Sequence, residues 1–95
     1  MIICWTIEKN KLYFGKVTRR SWHRAIRGKC GYMLEVKPLK HFEKYNYYPN
    51  RVWVGLNTAN LINSFGTSIP STLHYELLKK GYRINIDTLE LLGAD

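Results

Sequence analysis

Apolar and polar residues alternate from Ile2 to Ile7, with Ile3, Trp5 and Ile7 on one side of the chain and Cys4 and Thr6 on the other. That period of two predicts a β-strand. Glu8-Lys9-Asn10-Lys11 reads as a tight turn, because Asn tolerates positive φ. Leu12 to Val17 is then the return strand of an N-terminal hairpin, with Leu12 and Phe14 sharing a face. Tyr32 to Lys37 alternates again, and Pro38 closes that strand or marks an edge. Arg51 to Leu56 is a fourth strand with an apolar, β-branched middle. Tyr82 to Asp87 alternates as a fifth.

Helical spacing predicts three further elements. Thr18 can cap a helix over Arg19–Arg27, with Gly28 as the left-handed residue that ends it. Trp22 and Ile26 stand four apart and are expected to be the buried stripe, beside Ala25. Asn57 or Thr58 can cap a short helix over Ala59–Phe65, with Leu61, Ile62 and Phe65 inward. Pro70 suits the first turn of a helix that runs to about Lys80, buries Leu73, Leu77 and Leu78, and stops at Gly81. Two stretches are less regular. Leu39–Asn50 reads as an aromatic loop with a possible turn at His41–Lys44. Thr88–Gly93 fits either a sixth strand or a terminal helical turn. The order points to one α+β domain over residues 1–95: a small antiparallel or mixed sheet of about five strands with two to three helices packed against it.

Charge adds a direction. From Lys9 to Leu34 there are eight Lys or Arg residues and no Asp or Glu, while the remaining seven cations are matched by seven carboxylates. The whole formal charge of +8 therefore resides in that window. Arg20, His23, Arg24 and Arg27 follow helical spacing, where like charges repel and a bound anion would relieve them. Tyr47 and Tyr48, beside Pro49 in the aromatic loop, are expected at the surface, where they could stack on unpaired bases. The candidate ligand-binding residues are therefore Arg19, Arg20, Arg24, Arg27, Lys29, Tyr47, Tyr48 and Arg51. The aromatic residues Trp22 and Trp53 are expected in the core.

Other chemistries are narrowed by what is missing. Cys4 and Cys30 form no C-x-x-C and read as reduced, packed thiols, so no metal or cofactor is expected. There is no phosphate-binding Gly-rich loop, no G-x-S-x-G and no H-E-x-x-H. No apolar run spans a bilayer and the first residues do not read as a signal peptide, so a cytoplasmic protein is expected. Three readings fit. The first is a non-enzymatic binder of nucleic acid, RNA or DNA, or of a ribonucleoprotein. The second is an inhibitor that docks on an acidic protein surface, as the Lys-, Asn- and Tyr-rich composition of a phage or mobile-element accessory protein would suit. The third is a metal-free ribonuclease, which needs at least two of His23, His41 and His74 and a neighbouring Arg or Tyr to converge.

Overall fold

The computed structural model describes residues 1–28, 31–42, 45, 48, 50–64 and 68–94, with His41 and Ala94 described by their backbone alone. The N-terminal hairpin pairs β1 (Ile2–Glu8) with β2 (Lys11–Val17). Lys9 and Asn10 form its turn, both at positive φ (49° and 65°). Two successive positive-φ residues give a turn whose twist matches that of the strands. Then follow α1 (Arg19–Ile26), β3 (Met33–Lys37), a 3-10 turn at Lys40–Phe42, β4 (Val52–Gly55), β5 (Asn60–Asn63), α2 (Ile69–Lys79), β6 (Tyr82–Asn85) and β7 (Glu90–Ala94). The main sheet runs β4-β3-β2-β1-β5 with every pairing antiparallel, and β6 and β7 form a separate hairpin. The chain is thus the α+β fold that its pattern predicts, built on a five-stranded antiparallel sheet.

That sheet has to curl. β4 and β5 lie at its opposite edges, yet only Leu56 to Ala59 join them. In a flat sheet four strand spacings would separate the edges by about 19 Å. The link reaches at most about 17 Å fully extended, and it is shortened by a turn in which Thr58 N–H donates to Gly55 O at 3.0 Å. The sheet therefore wraps toward an open barrel. Its inner face gathers Cys4, Val17, Leu34, Val36 and Tyr48, with Val52, Val54 and Leu61 packed beside them and Ala25 of α1 at one end. Its outer face, carrying Ile3, Trp5, Leu12, Phe14 and Ile62, is covered by Ile69, Leu73 and Leu77 of α2 and by Ile84 and Leu89 of the second hairpin. Gly15 lets β2 and β3 close: a Cβ there would lie 2.6 Å from Lys37 O.

Several expectations are corrected. The segment expected as a helix over Ala59–Phe65 contains strand β5, whose Leu61 packs on the inner core and Ile62 on the outer one. A strand buried on both faces has adjacent apolar residues, and such a pair mimics helical spacing. Phe65 lies outside the described residues. Residues 90–94 form the sixth-strand alternative rather than a helical turn. Leu78 is 47% exposed, because Ile69, Leu73 and Leu77 alone make the stripe of α2. Tyr32 precedes β3 at φ 60° instead of joining it. No helix among the described residues is long and apolar enough to cross a membrane.

Candidate functional site

Helix α1 begins where its sequence places it. Thr18 has extended backbone and its hydroxyl accepts from Ser21 N–H at 3.3 Å, while Gly28 beyond the C-cap has φ 69°. Its buried stripe differs from the expected one. Ser21 and Ala25 are buried, Trp22 is half-buried, and Ile26 is 50% exposed. The reason is close docking on β3. Ser21 Oγ accepts from Glu35 N–H at 3.0 Å and donates to Thr18 O at 3.0 Å, and Thr18 N–H donates to Glu35 O at 3.0 Å. Such an approach suits small side chains. A helix turns about 100° per residue, so Ile26 falls about 140° away from Ser21 and leaves the contact.

The same rotation divides the basic residues. Arg20 and Arg24 point to one side of α1, where they line a cleft of about 500 Å³ with Met33, Glu35 and Lys37 of β3 and with Arg51 and Trp53 of β4. Arg27 is exposed one turn beyond, outside that cleft. Arg19 lies on the other side, in a smaller depression with Lys16, Trp22 and His23. Among the expected site residues, Arg20, Arg24 and Arg51 are thus brought together, although Arg51 is far from the other two in sequence. Lys29 and Tyr47 lie outside the described residues, as does Cys30.

Strand alternation builds the second wall. Val52 and Val54 face the inner core, opposite Val36 and Leu34. Trp53, paired with Glu35, therefore faces out and is 56% exposed. It was expected in the core. The signal that identifies it as a surface residue is the order Arg51-Val52-Trp53-Val54, in which the arginine and the tryptophan share one face of the strand.

The cleft is cationic on balance. Four positive side chains (Arg20, Arg24, Lys37, Arg51) meet one carboxylate, Glu35. Arg51 Nη1 lies 3.6 Å from Glu35 Oε2, with the arginine side chain 59% and the glutamate 16% exposed. That separation is too long for a hydrogen bond, and a half-exposed pair of this kind is weak. A phosphate oxygen would compete well for this guanidinium, which can offer it two parallel donors.

Tyr48 corrects the picture of the aromatic loop. It is 9% exposed rather than at the surface, with its ring 6.4 Å from that of Tyr13. Its hydroxyl donates to the Cys4 thiol, which also accepts from the backbone of Asn60. Burial raises the pKa of both groups, and the thiol's proximity raises that of the tyrosine further. Most of the ring is packed in the inner core, and the little that is left uncovered borders a pocket with Tyr13 and Val52.

His23 is an exposed residue of α1, which packs on the inner core, and His74 a half-buried residue of α2, which covers the outer one, while the side chain of His41 lies outside the described residues. Among the described residues no group of three or more His, Cys, Asp or Glu side chains is placed to hold a metal ion. No protein-family model, curated protein or solved structure matches the chain.

Proposed function

We propose that this chain is a non-enzymatic nucleic-acid-binding protein that lays a phosphate backbone along the cleft between α1 and the β3–β4 hairpin. Arg20, Arg24, Lys37 and Arg51 contact phosphates, and Trp53 lies beside them as an aromatic surface. The observation that carries this reading is the meeting of Arg20 and Arg24 with Arg51 across one cleft whose wall is an exposed tryptophan. Arginine donors and a nearby aromatic face are the two parts that a flexible polyanion with stacking bases requires. The carboxylate Glu35 is outnumbered and only loosely paired.

A protein partner is the second reading. It is favoured by the position of Trp53 on an edge strand, since exposed tryptophan and arginine dominate protein interfaces and a free strand edge accepts an added strand.

The test is a titration of a labelled mixed-sequence oligonucleotide at low salt, with wild type and the double variant Arg20→Gln/Arg24→Gln. The variant is expected to bind at least about tenfold more weakly for all sequences alike while still folding, as a thermal melt checks. Equal binding by the two proteins would remove the cleft from the account.

A further inference from the structure

The barrel is not fully closed, and its opening adjoins the basic cleft. β4 is an edge strand, so half of its backbone N–H and C=O groups point away from the sheet. On the facing side, β5 pairs with β1 only as far as Trp5, opposite Asn60. Among the described residues, Thr6 to Glu8 therefore have no strand partner on that edge. Between these two strand edges lies a pocket of about 630 Å³, within the range of small-ligand sites. Its walls include Thr6, Glu8, Tyr13, Val52, Val54 and Thr58: flat and branched apolar groups, three hydroxyls and one carboxylate. Trp53 borders both this pocket and the arginine cleft.

We propose that this opening receives one unpaired base of the strand whose phosphates occupy the arginine cleft, and that it favours a base bearing an exocyclic amine. The inference rests on the nucleic-acid reading above and narrows it to single strands. A base inside a duplex is stacked and paired, so it cannot enter a pocket without being extruded. A single strand can cross Trp53 with its backbone on one side and a base on the other, and both RNA and DNA meet that requirement.

Glu8 sets the preference. Its charge is near enough to oppose ionisation of Tyr48 at the same pocket. Ionised, a carboxylate accepts hydrogen bonds and donates none. Facing a phosphate it would repel. Facing the amine of cytosine, adenine or guanine it accepts a hydrogen bond. At the ring position where cytosine presents that amine, thymine and uracil present a carbonyl oxygen, which repels a carboxylate; their one donor, the imino N–H, lies on the neighbouring ring atom.

The experiment measures binding of the full chain to cytosine-only, adenine-only and thymine-only strands of about ten nucleotides, the length scale of such sites, and to a mixed-sequence duplex of equal length, at one low salt concentration. Cytosine and adenine strands are expected to bind about tenfold or more tightly than thymine strands, the size of one good base contact, and more tightly than the duplex. Glu8→Gln should bring the cytosine-to-thymine ratio close to one. The readout is a ratio, so the general gain from removing a negative charge cancels, and the exposed position of Glu8 leaves folding intact. Equal affinity for single strand and duplex, or an unchanged ratio in Glu8→Gln, overturns the base pocket while the phosphate cleft stands. Absence of binding to every oligonucleotide overturns both, and capture of an extended peptide along β4 would then account for the two strand edges.

Discussion

Tyr48 and Cys4 tie the loop before β4 to the centre of the barrel. Tyr48 N–H donates to Phe14 O at 3.2 Å, and its hydroxyl reaches the thiol of β1. Tyr48→Phe keeps the ring and removes that bond, so it should cost about 1 kcal/mol and lower Tm by about 4–8 °C for a domain of this size. The pH dependence has a definite sign. Both groups are neutral acids whose folded pKa is raised, so their contribution is complete below their unfolded values and is lost as pH rises past them. Stability should therefore begin to fall above about pH 9 and fall faster above about pH 10, by about 1.4 kcal/mol per pH unit for each group. A Cys4→Ala/Tyr48→Phe double variant should show a flatter alkaline decline in thermal melts. An equally steep decline would assign the effect to other groups. At this scale some of the sequence reads directly: Thr18 as cap, Gly28 as stop and Asn10 in the turn all have local causes. Tyr48 could not be read, because its burial depends on Cys4 and Phe14, far away in sequence.

The elements show where pattern misleads. The hairpin, α1, β3, β4 and α2 follow from alternation, capping and Pro70, with ends shifted by one to a few residues. β5 was expected as a helix because both of its faces are covered, and periodicity then carries no orientation. Its identity follows from the uncovered edge of β1, which only the tertiary fold supplies. Helix α1 likewise hid its contact: a Ser21–Ala25 stripe looks too small to be a core face, yet smallness is what brings Arg20 and Arg24 to the β3 wall. Ser21→Ala leaves Glu35 N–H without its acceptor and should cost about 1–3 kcal/mol. It should also loosen the cleft, so phosphate binding weakens even at temperatures where the variant is folded. A destabilised variant with full affinity would show that α1 docking does not shape the site. Gly15→Ala tests the barrel itself. Its Cβ meets the Lys37 backbone and the stiff, buried Val36 side chain, so overpacking should cost about 1–3 kcal/mol, read by chemical denaturation.

In the whole molecule, charge and curvature act together. The cationic window spans the first hairpin and α1, but a cleft forms only because the sheet's wrap brings the β3–β4 hairpin beside that helix. Sequence disclosed the window and Arg51, and it could not disclose that Trp53 stands between Arg51 and the barrel opening. The outer face is occupied by α2 and the second hairpin, so the functional surface proposed here is the opposite end of the molecule's charge and packing asymmetry. If four cations hold phosphates, binding is driven largely by counterion release, and log K falls linearly with log salt. The most direct measurement is that slope for a single strand, for wild type and for Arg20→Gln/Arg24→Gln. The account predicts about −3 for wild type and about −1.5 for the variant. The same slope in both proteins, or no binding even at the lowest salt, would contradict it.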